Sequence, residues 1–116
     1  MSKSYLQITN DVSKALGTLR KEIPGTLEGF SAMSQNALKD GALSELQKEL
    51  ISLAIGVSQR CDACIGFHMK ALIRLGATRE QIMETLAVCT YMGGGPALMY
   101  AADAVRAYEQ LQPKAE

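Results

Sequence analysis

The stretch "SELQKELISLAIGVSQRCDACIGFHMKALIRLGATREQ", Ser44–Gln81, decides the fold class. Ser44 is followed three residues on by Gln47, a pairing that caps a helix N-terminus reciprocally. Leu46, Leu50, Leu53, Ala54 and Val57 then recur at intervals of three and four, so they line one face of a helix. The polar break Ser58–Arg60 ends that helix, and a second apolar stripe, Ile65, Ala71, Leu72 and Leu75, begins just beyond it. Gly76 suits a helix C-terminus. Thr78 and Gln81 repeat the capping pair and open a third helix. The reading is therefore helix, short turn, helix, glycine stop, helix.

Working outward, the same periodicity holds. Tyr5, Ile8, Val12, Ala15, Leu16 and Leu19 form a stripe ahead of Pro24-Gly25. Pro24 suits the first turn of a looser helix that runs to Asp40-Gly41. The helix opened at Thr78 runs to about Met92, where Gly93-Gly94-Gly95 breaks it, and Pro96 begins a last helix to about Leu111. The glycine run lacks a phosphate-loop pattern and any preceding strand, so it reads as a helix break. The tail Gln112–Glu116 reads as frayed. No stretch alternates with period two. The expectation is an all-α bundle of about six helices in a single domain spanning residues 1–116.

The 116 residues are 47% hydrophobic and 21% charged, with a formal net charge of zero. That balance describes a folded chain and offers no basic excess for nucleic acid or anionic lipid. No apolar run reaches the roughly 20 residues of a membrane span. The N-terminal residues lack the apolar centre of a signal peptide, so a cytoplasmic location is expected. There thiols stay reduced, and a close cysteine pair points to a metal site or a redox centre.

Two polar residues stand where apolar ones belong. Glu49 lies three residues after Leu46 and four before Leu53, on the buried face. A carboxylate there sits at the stripe's edge or has a specific partner, because burying it unpaired costs several kcal/mol. His68, the chain's only histidine, lies among the apolar residues of the next helix, one turn after Cys64. Cys61 precedes Cys64 by three and sits near that helix's N-terminus. If the two helices pack as a hairpin, Glu49, His68 and the cysteines come into one line. Such a line has a use. A free thiol with pKa near 8.5 is only about 3% thiolate at pH 7. A helix N-terminus and an imidazolium lower that pKa, a carboxylate orients the imidazole, and a second thiol captures the oxidised first.

Zinc is the main alternative, since Cys61, Cys64 and His68 are acceptable ligands, but a second close pair is missing. Cys89, in a helix interior, reads as a small buried apolar residue. Haem attachment requires histidine directly after the second cysteine, where Ile65 stands. A thioredoxin-like fold needs a βαβ pattern that this chain does not have. An inert pair with a core histidine also stays open. Met69, Met83, Met92 and Met99 read as core or subunit-contact residues, and as the lining of an apolar pocket second.

The segment Glu45–Val88 resembles the core of the carboxymuconolactone decarboxylase superfamily, in its AhpD-like (alkylhydroperoxidase D-like) branch. The matching residues are Lys48-Glu49-Leu50, then Cys61-x-x-Cys64-x-x-x-His68, then Gly76-Ala77-Thr78 and Glu84. The resemblance implies an all-α fold and a thiol peroxidase or disulfide reductase without a bound cofactor or metal. It implies that Glu49, Cys61, Cys64 and His68 form a proton relay, with Cys64 attacking and Cys61 resolving. Helix-dipole reasoning alone favours Cys61 as the reactive thiol, whereas the His68 spacing favours Cys64. The substrate implied is a hydroperoxide or small disulfide, and the electron donor a lipoyl-type or thioredoxin-like dithiol. Related small members assemble, so a homo-oligomer, trimer or hexamer, is expected. One position departs from the pattern. The peroxidase prototype has a second histidine just before its second cysteine, and here that residue is Ala63. The substitution bears more on peroxide turnover than on dithiol–disulfide exchange. The alternatives are a decarboxylase-type lyase acting on a small carboxylated metabolite and a non-catalytic zinc- or ligand-binding module.

Overall fold

In the computed structural model, residues 3–114 are described, and they form six α-helices and no strand. These are α1 (Tyr5–Glu22), α2 (Pro24–Leu38), α3 (Glu45–Ser58), α4 (Asp62–Arg74), α5 (Arg79–Gly93) and α6 (Gly95–Gln110). The tail expected to fray, Gln112–Glu116, includes residues 115 and 116, which lie outside the described residues.

Both capping boxes form. Ser44 Oγ accepts from the Gln47 amide at 3.1 Å while Gln47 Oε1 accepts from the Ser44 amide at 2.8 Å. Thr78 and Gln81 do the same at the start of α5. Pro24 and Pro96 stand in the first turns of their helices, where a missing N–H removes no helical bond. Gly76, with φ of 81°, closes α4, and Gly94, with φ of 73°, turns the chain directly from α5 into α6.

The core lies between α1, α3, α4, α5 and α6. Tyr5, Leu53, Val57, Ile65, Met69, Leu72, Ile82 and Leu86 are buried there, with three alanines of α6, Ala101, Ala104 and Ala107. Small residues let helices approach closely. A methyl group built on Gly66 of α4 would lie 2.6 Å from Thr9 Cγ2 of α1. The expected stripes hold for α3 and α4. On α1 the stripe fades, because Ala15 and Leu19 are exposed. Helix α2 buries no residue, and its Phe30 and Met33 face solvent. Met69 is buried and Met83 packs against the core, whereas Met92 and Met99 are exposed. No helix of the described residues is long and apolar enough to cross a membrane.

Candidate functional site

The site forms along the contact between α3 and the first half of α4. Helix α3 is capped by Gln59, and the next residue, Arg60, takes a left-handed conformation with φ of 57°. Its amide donates to the Val57 carbonyl, and the Cys61 amide donates to the Gly56 carbonyl at 3.0 Å. That tight reversal satisfies the last carbonyls of α3 and delivers Cys61 as the N-cap of α4. Cys61 Sγ accepts from the Cys64 amide at 3.2 Å. The two cysteines form a disulfide, with Cα atoms 5.2 Å apart.

One turn further along α4, His68 Nδ1 lies 2.6 Å from Glu49 Oε1. Glu49 is buried, with 4% of its surface exposed, and belongs to the inner face of α3. Of the two placements open to it, the structure gives Glu49 a specific partner. A carboxylate can only accept, so Nδ1 carries the proton of the neutral imidazole and Nε2 keeps the free lone pair. His68 remains about a third exposed, with its side chain at 30%, so the ring reaches solvent while its far nitrogen is anchored. A cleft of about 180 Å³ opens beside it, lined by Ser52, Ile55, Gly56, Gln59, Cys64 and His68. Cys64 and His68 thus border one common space. Among the described residues, no group of three or more His, Cys, Asp or Glu is placed to hold a metal ion.

All four expected site residues therefore meet at the α3–α4 contact. Cys89 does not join them. It is buried on α5, its thiol donates to the Ala54 carbonyl, and burial pushes its pKa up. Four cleft residues were not singled out in the sequence: Ser52, Ile55, Gly56 and Gln59. Gly56 carried a usable signal, since a glycine inside a helix weakens it and calls for a packing reason. A methyl built there would lie 3.1 Å from Cys64 Cβ, so the absent side chain is what lets α4 seat its cysteine against α3.

The fold has counterparts among solved structures. The sequence pattern of the carboxymuconolactone decarboxylase family matches residues 24–107, which include α3, the Cys61–Cys64 pair and His68. The chain belongs to the carboxymuconolactone decarboxylase family. A family protein from Legionella pneumophila, solved in its apo form, superposes with a TM-score of 0.94 at 48% identity, over 97% of this chain and 100% of that one. A second family protein, from Thermotoga maritima, superposes with a TM-score of 0.78 at 25% identity, over 94% of this chain and 90% of that one. An antioxidative role has been suggested for the Thermotoga protein. The alkyl hydroperoxide reductase AhpD of Mycobacteroides abscessus is 31% identical over 62 residues, 53% of this chain and 35% of that protein. This last similarity supports the AhpD-like branch of the family.

A second polar cluster, absent from the sequence reading, braces the other side of the α4 N-terminus. Lys3 Nζ lies 2.9 Å from Asp103 Oδ2 on α6 and 3.2 Å from Asp62 Oδ1, the first residue of α4. The Tyr5 hydroxyl donates to the same Asp103 oxygen. Burial alone would raise the Asp103 pKa, but the hydrogen bonds from Lys3 and Tyr5 outweigh it and hold that carboxyl below its ordinary value. The hydrogen bond to Asp103 raises the Lys3 pKa despite some burial, and burial raises that of the Tyr5 phenol. These pairings join residues 59 and 100 positions apart, beyond the reach of any local pattern.

Proposed function

We propose that the protein is a thiol-dependent oxidoreductase that reduces a hydroperoxide or a small disulfide through the Cys61–Cys64 dithiol. The observation that carries this reading is the Glu49–His68 hydrogen bond, which anchors a histidine that lines the same cleft as Cys64. An inert or purely structural disulfide has no need of an anchored, solvent-reaching imidazole beside it.

In the reduced protein, His68 Nε2 takes the Cys64 proton, and Glu49 holds the imidazole in orientation and stabilises its charged form. The Cys64 thiolate attacks the terminal oxygen of a hydroperoxide. The sulfur–oxygen bond forms, the oxygen–oxygen bond breaks, and the alkoxide leaves as an alcohol with the proton from His68. Cys64 is then a sulfenic acid. The Cys61 thiol attacks that sulfur, the sulfur–oxygen bond breaks, and water departs with the Cys61 proton. The product is the Cys61–Cys64 disulfide. An external dithiol of lipoyl or thioredoxin type reopens it by two exchange steps and is itself oxidised to a disulfide. With a disulfide substrate, Cys64 attacks sulfur in place of oxygen, and Cys61 resolves the mixed disulfide in the same way.

The test is turnover with a dithiol donor and either an alkyl hydroperoxide or a small disulfide. Cys64→Ser should abolish it, and His68→Gln should lower it by about a hundredfold, the scale of a lost general acid–base group. Because Ala63 stands where the prototype has a further histidine, disulfide exchange should be the faster of the two reactions. Wild-type rates in Cys64→Ser would sink the reading.

A further inference from the structure

The residue that divides the cysteine pair from its surroundings is Asp62. It follows Cys61 directly and occupies the first position of α4, where a negative charge complements the helix N-terminus. A thiolate formed at the neighbouring cysteines draws on the same field, so the two anions compete. Asp62 does not stand alone, however. Its carboxylate is paired with Lys3, which also binds Asp103. Lys3 is held on several sides. Its ammonium sits 5.4 Å from the centre of the Tyr100 ring, and its backbone carbonyl accepts from Gln110 Nε2 at 2.8 Å. Gln110 Oε1 in turn accepts from the Tyr5 amide, which locks the residues around Lys3 to α6.

The charged and titratable groups around the α4 N-terminus therefore fall into two sets. On one side lie Lys3 and Tyr5, with Asp103 and its neighbour Arg106 from α6, 3.5 Å away. On the other lies the Glu49–His68 pair, and Arg60 immediately precedes Cys61. The proposed chemistry uses the Glu49–His68 pair and leaves the first set without a role.

We propose that Lys3 is a positioning residue for the dithiol, neutralising Asp62 and thereby setting the acidity and reduction potential of the Cys61–Cys64 pair. The inference rests on the redox reading of that pair. The relevant couple is the disulfide taking two electrons and two protons from a dithiol such as dithiothreitol: the Cys61–Cys64 bond breaks, two thiols form, and the donor closes to its own disulfide. With Lys3 removed, the Asp62 charge is uncompensated, the reduced state with its partial thiolate is disfavoured, and the potential falls. With Asp62 neutralised, the same state is favoured and the potential rises.

The experiment equilibrates the full-length protein in dithiothreitol redox buffers at pH 7.5 and measures the pH profile of alkylation of the reduced form. Lys3→Met should shift the equilibrium toward the disulfide by about three- to tenfold, the Coulombic effect of one charge at partial exposure. Tenfold corresponds to about 30 mV for a two-electron couple. Its alkylation profile should move to higher pH. Asp62→Asn should shift both readouts the opposite way, and Lys3→Arg, which keeps the charge, should restore the wild-type values. If Lys3→Met loosens the N-terminal segment, Asp62→Asn still tests the charge at a solvent-reaching side chain. Wild-type potential and alkylation profile in both Lys3→Met and Asp62→Asn would overturn the proposal, even with turnover abolished in Cys64→Ser. Wild-type turnover in Cys64→Ser would instead sink the redox reading beneath it.

Discussion

At the residue scale, the decisive feature is a carboxylate inside an apolar face. Glu49 is tolerated there because His68 Nδ1 takes up one of its oxygens, and no buried side-chain polar atom of the described residues lacks a partner. Glu49→Gln separates charge from geometry. The amide keeps an oxygen that accepts from Nδ1–H, so the imidazole stays oriented, but it no longer stabilises a positive ring. The expected outcome is a melting temperature close to wild type with turnover lowered about tenfold or more. Wild-type turnover would show that orientation alone suffices. Much of this arrangement was legible in sequence, because its ingredients are local. Spacings of three and four placed Glu49 on the inner face of α3 and stacked His68 on Cys64. The Lys3–Asp62–Asp103 cluster was not legible, since its partners meet only when α1 and α6 close around α4. Ser52 and Gln59 were equally silent, because nothing in their own periodicity marks the side of α3 that a cleft will occupy.

At the scale of the element, the join between α3 and α4 carries a tension. The reversal needs a left-handed residue, a conformation that glycine adopts freely and that costs other residues about 1–2 kcal/mol. Arg60 occupies it. Arg60→Gly should therefore leave the backbone path unchanged and relieve that strain, an effect partly offset by the greater freedom of glycine in the unfolded chain. The expected outcome is a gain of up to about 1 kcal/mol in denaturant unfolding. A loss of stability would mean that the Arg60 side chain makes contacts outweighing its backbone strain. Capping boxes, prolines and the Gly76 stop were readable because each is a few residues of local chemistry. This left-handed arginine was hidden because its conformation is imposed by packing on either side.

At the scale of the whole molecule, the uneven burial of apolar residues asks for a partner. Helix α2 buries nothing, and Phe30 and Met33 on it are 65% and 60% exposed. Helices α3 and α5 add a groove of about 240 Å³ whose lining is apolar except for Ser58 and includes Ile51, Ile55, Val88 and Met92. Tyr91 and Met92 are 84% and 76% exposed. Exposed apolar side chains of this number suit an interface, and we propose a second copy of the chain as their occupant, in keeping with the trimer or hexamer that the resemblance implies. Periodicity could not foretell this, because an apolar stripe looks the same whether its own chain or a neighbour covers it. Light scattering should give a wild-type mass at a small multiple of 12.5 kDa. Val88→Glu combined with Met92→Glu should lower it, since burying unpaired carboxylates costs several kcal/mol each while both positions are exposed in the single chain. A monomeric wild type at tens of micromolar would refute the assembly. Ile55 lines both this groove and the Cys64–His68 cleft, so assembly through the groove would wall one side of the reactive site. The dissociated variant should then alkylate faster at Cys64 with a bulky maleimide than with iodoacetamide, each compared with wild type, whereas an unchanged ratio would place the interface away from the dithiol.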